Sequence, residues 1–303
     1  MPEIQANGIT LHYDEHGDPN DPVILLIMGF ATQMTGWPIE FVQALAERGF
    51  RVIRYDNRDI GLSQKFDGVK SPGMVKLMIL TRLGFRPKVP YSLGDMADDG
   101  AGLLDALGIE KAHIVGASMG GMIAQRFAER HPQKVQTLTS VFSTTGHSKL
   151  PKAKKEAMEA LVKRPQSFDE DVLVEHGIKV SRTIGSPGYP APEERLRERV
   201  RANVQRSFYP PGPVRQMGAI ATDGDRRPML KKLNVPTLVL HGDDDPLIPV
   251  EHGHDTAAHI PEAKLKTIPG WGHDLPLELV DELADAIAAH ANGNAEPTAQ
   301  AAE

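Results

Sequence analysis

A serine between two glycines is the first feature of this sequence that could do chemistry. Ser118 lies in the stretch Gly-Ala-Ser-Met-Gly at residues 116–120, directly after an apolar run and before a segment with helical periodicity. In a nucleophile elbow, such a turn projects the serine oxygen above a sheet and aims a helix N-terminus at a developing oxyanion. Ser118 is therefore the predicted nucleophile. The alternative interpretation is an idle serine in a glycine-rich turn.

A serine hydroxyl needs a base, and His273 is the best placed of the twelve histidines. It lies in Gly-Trp-Gly-His-Asp at residues 270–274, just after the last predicted strand, where parallel sheets bind their ligands. The glycines on either side of Trp271 suit a loop that must place an imidazole accurately. We therefore expect His273 to accept the proton of Ser118 and to return it later.

The base in turn needs a carboxylate that fixes its tautomer. Three candidates follow the predicted strand at residues 237–240: Asp243, Asp244 and Asp245. Asp245 is preferred because Gly242 makes the turn and Pro246 restrains the exit, which leaves the third acid at the loop apex. Asp243 and Asp244 are expected to be turn residues or helix caps. The end of the preceding strand, at residues 140–145, contains no carboxylate, which also favours Asp245.

The three residues occur in the order Ser118, Asp245, His273, which differs from the orders of the two best-known serine protease folds. An oxyanion hole would need two backbone donors. The N–H of Met119, directly after the serine, is the first. The N–H of Phe30, in the loop after the apolar run at residues 23–28, is our choice for the second.

These residues need elements that position them, and the chain supplies an alternating pattern. Short apolar runs alternate with helical stretches, which is typical of a parallel sheet with crossover helices. Strands are predicted at residues 9–13, 23–28, 51–55, 112–115, 135–142, 237–240 and 264–268. The alternation stops between residues 146 and 228, where charged, helix-rich segments predict an inserted helical cap. The core is then formed by residues 1–145 and 229–290.

Within the predicted cap we expect helices at residues 152–163, 168–176 and 193–208, with a break at the proline-rich stretch 210–213. A second, lid-like insertion is predicted near residues 67–90, because its centre is apolar and rich in methionine. The side chains predicted to line a substrate pocket are Met34, Met74, Met78 and Leu275. Residues 291–303 are small and polar, and we expect a disordered tail.

Composition excludes several classes of function. The 303 residues include 40 acidic and 34 basic side chains, a balance of −6 with no broad basic face, so no nucleic-acid partner is expected. Without cysteine, disulfides and thiolate metal sites are excluded. His252 and His254 lie beside Asp255, but residues two apart face different sides of a helix, so no metal site is predicted.

The remaining expectations concern location and assembly. The longest apolar run is too short to cross a bilayer, and the N-terminal stretch lacks the pattern of a signal peptide. We therefore expect a cytoplasmic protein without membrane contact, needing no cofactor, as a monomer or a homodimer. Its partner would be a small-molecule ester.

Several stretches together resemble the α/β-hydrolase superfamily over nearly the whole chain. Within it, the sequence is similar to small serine esterases of the aclacinomycin-methylesterase type. The matching stretches are Met28-Gly29 followed by Gly36-Trp37-Pro38, residues 53–63 (IRYDNRDIGLS), the elbow, and residues 242–249 and 269–276. Two positions depart from the common pattern. Met28 replaces a histidine that often precedes the oxyanion glycine, and Asp59 stands where glycine is common.

The resemblance implies an α/β-hydrolase fold, with a mostly parallel sheet of about eight strands, helices on both faces and an inserted helical cap. It implies ester hydrolysis through an acyl-enzyme, with Ser118 as nucleophile, His273 as general base and acid, and Asp245 as its orienter. We expect small to medium hydrophobic esters as substrates. Open alternatives are a methyl ester of a polyketide-like metabolite, C–C hydrolase, lyase or perhydrolase chemistry, and a non-catalytic ligand receptor.

Overall fold

An eight-stranded sheet runs through the protein. The computed structural model describes residues 2–85 and 87–293, without the side chains of Met74, Val75, Met78 and Arg82. The strands in chain order are β1 Glu3–Ala6, β2 Ile9–His16, β3 Val23–Ile27, β4 Arg51–Tyr55, β5 Ala112–Ala117, β6 Val135–Val141, β7 Thr237–Gly242 and β8 Lys264–Ile268. Their order across the sheet is β1-β2-β4-β3-β5-β6-β7-β8. β2 pairs antiparallel with β1 and β4, and the other pairs are parallel.

Helices cover both faces of this sheet. The α-helices in the described residues are α1 Ile39–Glu47, α2 Met74–Arg82, α3 Leu93–Ala106, α4 Met119–Arg130, α5 Lys155–Val162, α6 Glu170–Ile184, α7 Glu193–Arg206, α8 Pro211–Asp223, α9 Arg227–Leu230, α10 Glu251–His259 and α11 Val280–Ala291. Short 3₁₀ turns span Met34–Gly36, Pro132–Lys134 and Leu277–Leu279.

The central strands are buried on both sides, as parallel strands between helix layers must be. All five residues of β3 are buried, and their side chains alternate between two apolar clusters. Leu25 and Ile27 pack in the cluster that contains residues of α3 and α4. Ile24 and Leu26 pack in the cluster that contains residues of α1 and α11. The predicted fold class, a mostly parallel sheet with helices on both faces, is therefore confirmed.

The segment between β6 and β7 differs from the prediction in one element. Helices α5, α6 and α7 lie within or near the predicted helical stretches, but α8 begins where a break was expected, at Pro211. Proline is tolerated in the first turn of a helix, because the N–H it lacks has no intrahelical acceptor there. A break between α7 and α8 does occur, but at residues 207–210, a few positions before the predicted stretch. The division into core and cap remains a prediction.

The stretch predicted to be a lid-like insertion contains α2. The predicted disordered tail lies mostly outside the described residues. The predicted tail begins at residue 291, but α11 extends to Ala291, and residues 294–303 lie outside the described part of the chain. In that described part, no helix combines the length and apolar character needed to cross a membrane.

Candidate active site

Ser118 occupies the sharp turn between β5 and α4. Its φ of 58° lies in the left-handed region, which is rare for residues other than glycine and strains the backbone. The serine N–H donates to Val141 O at 2.9 Å, which ties the turn to the neighbouring strand. Any side chain on the flanking glycines would clash: a Cβ on Gly116 would lie 2.1 Å from Gly120 O, and one on Gly120 would lie 2.0 Å from Ile27 O. Glycine is required at both positions for this close packing.

His273 lies beside the serine, although 155 positions separate the two residues in the chain. Its Nε2 is 3.0 Å from Ser118 Oγ, and its Nδ1 is 2.6 Å from Asp245 Oδ2. The backbone N–H of His273 donates to Ile184 O at the end of α6. The Phe142 ring packs against the imidazole, with centroids 4.7 Å apart. The imidazole is therefore held between an acid and a hydroxyl, and only 9% of the residue is exposed.

Asp245 is the one of the three neighbouring carboxylates that reaches His273. Its Oδ1 accepts hydrogen bonds from the N–H groups of Leu247 and Ile248, both at 2.8 Å, which leaves Oδ2 for the imidazole. Asp244 instead accepts from the Gly270 N–H at 2.8 Å. Asp244 thereby ties the loop that carries the acid to the loop that carries His273. Asp243 is exposed.

A second histidine, His241, lies close to the acid and was missed by the sequence analysis. Its ring is fully buried, with Nε2 2.8 Å from Ile248 O and 3.8 Å from Asp245 Oδ2. Burial lowers the pKa of His241, so the neutral ring donates to Ile248 and places no second positive charge beside the acid. The signal in the sequence was its position at the end of β7, two residues before the first of the three acids.

Two backbone N–H groups flank the serine at the predicted oxyanion hole. Met119 is the first residue of α4, so its N–H has no acceptor within the helix. Phe30 follows Gly29, and a Cβ on Gly29 would lie only 3.0 Å from Ser118 Cβ. In the described chain, neither the Met119 nor the Phe30 N–H donates to a protein acceptor. Their role as oxyanion donors remains a prediction.

The predicted pocket residues fall in different places. Met34 is fully buried, and its N–H donates to Asp56 Oδ1 at 2.8 Å. Leu275 belongs to the apolar cluster that includes Phe142, the residue whose ring contacts His273. The side chains of Met74 and Met78 lie outside the described residues. A pocket-lining role for these four residues remains a prediction.

The remaining histidines and carboxylates form no candidate metal centre among the residues that the structure describes. His252 is occupied within the protein: its Nδ1 is 2.6 Å from Thr144 Oγ1, and its Nε2 is 2.8 Å from Pro151 O. Ser63, in the loop after β4, donates to Asp56 O at 2.6 Å. Its hydroxyl accepts from the backbone N–H of His12, and among the described residues it has no hydrogen bond with a histidine side chain.

A serine on a strand-to-helix turn, an imidazole at its hydroxyl and a carboxylate behind the imidazole lie at the carboxyl edge of this parallel sheet. Together, the fold and these contacts are those of an α/β hydrolase. A family described by the alpha/beta hydrolase fold matches residues 22–278. The chain belongs to this family of hydrolases.

Two characterised relatives are esterases by name. The chain is 30% identical to rhodomycin D methylesterase DauP of Streptomyces sp. (strain C5), with 95% of this chain and 96% of the relative covered. It is equally similar to rhodomycin D methylesterase DnrP of Streptomyces peucetius, over the same shares. Among solved structures, an enol-lactonase from Burkholderia xenovorans LB400 superimposes with a TM-score of 0.71 at 23% identity, covering 96% of this chain and all of the other. That likeness shows the shared fold.

Proposed function

We propose that the protein is a serine carboxylesterase that hydrolyses carboxylic esters through an acyl-enzyme intermediate. One observation carries the proposal: a continuous series of hydrogen bonds runs from Asp245 through His273 to Ser118, with atom separations of 2.6 and 3.0 Å. Hydrogen-bond reach between nucleophile and base, with the base oriented by a third group, is the arrangement that activates a serine hydroxyl.

The reaction follows from this arrangement. Ser118 Oγ attacks the ester carbonyl while His273 Nε2 accepts its proton, and Asp245 stabilises the imidazolium that results. The oxygen of the tetrahedral intermediate accepts from the N–H groups of Phe30 and Met119. The intermediate expels the alcohol, which takes the proton from His273. Water, deprotonated by the same imidazole, then attacks the acyl-enzyme. The second tetrahedral intermediate releases the acid as Ser118 Oγ leaves and regains the proton from His273.

Hydrophobic esters of small to medium size are the proposed substrates. The apolar cluster that contains Leu275 and Phe142 reaches the His273 ring, which favours an apolar group beside the reacting bond. The Streptomyces relatives are rhodomycin D methylesterases by name, so methyl esters, which release methanol, are the first substrates to test. Substrates with a large aromatic acid portion form the second arm of that test.

The experiment compares wild type with Ser118→Ala on a panel of methyl and p-nitrophenyl esters of increasing acyl length. We expect the variant to lose about 10⁴- to 10⁶-fold in kcat with its circular dichroism spectrum unchanged. A fluorophosphonate should label wild type at Ser118 and leave the variant unlabelled. Ser63→Ala is the matched control, because Ser63 has no histidine side chain at its hydroxyl; activity per folded molecule and labelling should both be retained.

Other outcomes separate the alternatives. Labelling of Ser118 without turnover of any ester would reject the esterase and favour C–C hydrolase, lyase or perhydrolase chemistry. A folded wild-type protein that is not labelled at all, yet binds hydrophobic ligands, would point to a receptor. Near-normal activity of Ser118→Ala would reject the nucleophile itself.

A further inference from the structure

The loop that carries the Phe30 N–H is not held in place by the sheet. β3 ends at Ile27, and the chain then turns through Ala31, whose φ of 54° is in the left-handed region. A non-glycine residue in that conformation persists only where its surroundings impose it. Hydrogen bonds made by this loop therefore bear on which way the Phe30 N–H points.

The peptide group between Phe30 and Ala31 is held at both ends. At one end, the Thr32 hydroxyl donates to Phe30 O at 2.9 Å. At the other end, the Ala31 N–H donates to Gln216 Oε1 at 2.9 Å. On the opposite side of Gly29, Asn57 Nδ2 donates to Met28 O at 2.8 Å. The peptide group with the Phe30 N–H lies between these fixed points.

Gln216 is the distant member of this set, because it comes from α8 and lies 185 positions from Ala31 in the chain. The residue is fully buried, and its Nε2 donates to Arg58 O at 3.2 Å. One amide therefore bridges the loop after β3 and the loop after β4. The orientation of the amide is determined, because only its oxygen can accept from Ala31 and only its nitrogen can donate to Arg58.

The anchoring of α8 itself does not depend on Gln216. The adjacent Arg215 forms two hydrogen bonds of 2.7 Å with the buried carboxylate of Asp59, and it donates to Val69 O at 3.1 Å. Loss of the Gln216 amide would leave this ion pair in place. Its effect should then fall on the loop with the Phe30 N–H rather than on the position of the helix.

We propose that Gln216 is a positioning residue for the oxyanion hole, which fixes the Phe30 N–H by binding the next peptide group. The inference rests on the proposed function, since it assigns Phe30 as an oxyanion donor. Without the amide, the hydrogen bond from the Ala31 N–H is lost, and the left-handed turn can relax. The Phe30 donor then aligns less well with an oxygen whose charge develops only in the transition state.

This role predicts a specific kinetic signature. Loss of one oxyanion donor costs about 10²- to 10³-fold in kcat, so misalignment of a donor that is still present should cost roughly 10- to 100-fold. For Gln216→Leu and Gln216→Glu we expect that fall in kcat, with KM changed less than about threefold. The Glu side chain keeps the acceptor for the Ala31 N–H but not the amide donor to Arg58 O. The fall in kcat should therefore be smaller for Gln216→Glu than for Gln216→Leu.

A trifluoromethyl ketone tests the assignment directly, because the hemiketal that it forms with Ser118 places an oxyanion in the hole. The affinity of each variant for this inhibitor should weaken in proportion to kcat, whereas the pH at half-maximal kcat/KM should not move. Gln125→Leu is the matched control: Gln125 is also fully buried, and its amide contacts Arg226 and Thr144 rather than the loop. We expect it to lower thermal stability while kcat per folded molecule stays within about twofold.

Thr32→Val provides a second, milder variant in case Gln216 substitutions do not fold. It removes the hydroxyl that donates to Phe30 O but keeps the methyl group that packs against Gly36. It should lower kcat and inhibitor affinity together, at unchanged KM, but by a smaller factor than the Gln216 variants. Folded Gln216 variants, or a folded Thr32→Val alone, with kcat and inhibitor affinity within twofold of wild type would overturn the inference. Because wild type and Ser118→Ala are measured alongside, that result would leave the esterase proposal intact.

Discussion

The sheet body and the helical insertion are stabilised by different kinds of contact. The sheet body, the described residues of 2–145 and 229–293, contains two large apolar clusters on either side of its strands. The helical insertion, residues 146–228, has a small described cluster whose buried members are Val174, Ile178 and Leu196. The sheet body therefore derives its stability from apolar burial to a much greater extent than the insertion does.

Polar contacts join the insertion to the sheet body. Arg206 lies 2.7 Å from Asp56, a fully buried acid after β4, and Asn203 accepts from Thr35 at 2.6 Å. The Asp59–Arg215 pair and Gln216 provide further contacts to the loops after β3 and β4. These contacts need definite geometry, unlike apolar packing, so they can set the position of loops at the active site.

The sheet body and the helical insertion differ in what they contribute to the proposed active site. All three residues of the proposed triad lie in the sheet body, at or just beyond strand ends. The insertion contacts the loops after β3 and β4, and Ile184 O at the end of α6 accepts from the His273 N–H. Changes in the sheet body at the triad should abolish chemistry, whereas changes in the insertion should alter stability or alignment.

The largest expected effect is on kcat, and it follows from replacing Asp245 in the sheet body. Asp245→Asn should lower kcat by about 10⁴-fold with little change in KM, because the imidazole loses the partner that fixes its tautomer. Steady-state kinetics on a p-nitrophenyl ester measure it. Asp243→Asn is the control, since that exposed side chain should be dispensable. If Asp244→Asn were the damaging change instead, the assignment of the acid would be wrong.

An intermediate effect is expected where the insertion meets the sheet body. Arg215→Met leaves the Asp59 carboxylate buried without its cation, and loss of one partner of a buried pair costs about 3–5 kcal/mol of unfolding free energy. Urea denaturation measures the change. Arg201→Met, which removes exposed contacts with Glu170 and Asp171 inside the insertion, should leave the urea midpoint unchanged. Equal effects of the two variants would contradict the proposed importance of the buried contacts.

The smallest expected effect is on the pH dependence of stability, through His113 in the sheet body. Burial in β5 lowers the pKa of His113 to about 4, from about 6.5 in an unfolded chain. Between these values the unfolded state binds the proton and the folded state does not, so His113 lowers stability as the pH falls from 6.5 towards 4. His113→Asn should make the thermal midpoint less sensitive to pH in this window.

His254→Asn is the control for that measurement, because His254 is exposed on α10. Its pH dependence should match that of wild type. The neighbouring His290, whose pKa is also lowered by burial, stays in both proteins and keeps part of the acid sensitivity. A slope of His113→Asn identical to that of wild type would show that His113 does not contribute.

Much of the fold could be predicted because its signals are local. Apolar runs identify the buried strands, and their alternation with helical stretches predicts a parallel sheet. The G-x-S-x-G stretch predicts the elbow, because only glycine fits at its two ends. A Cβ at either position would lie 2.0–2.1 Å from a backbone oxygen. The choice of Asp245 among three acids rested on one short loop, between Gly242 and Pro246. The structure places Asp245, and neither of the other two acids, beside His273.

Contacts between distant segments were decided only by the tertiary structure. Nothing near Gln216 in the sequence indicates that its amide binds Ala31, and Pro211 was a poor guide because proline both ends helices and begins them. His241 likewise acquires its place beside Asp245 from the burial of β7. A pattern in the chain reports what each segment prefers by itself, whereas a hydrogen bond across 185 positions depends on how whole layers pack.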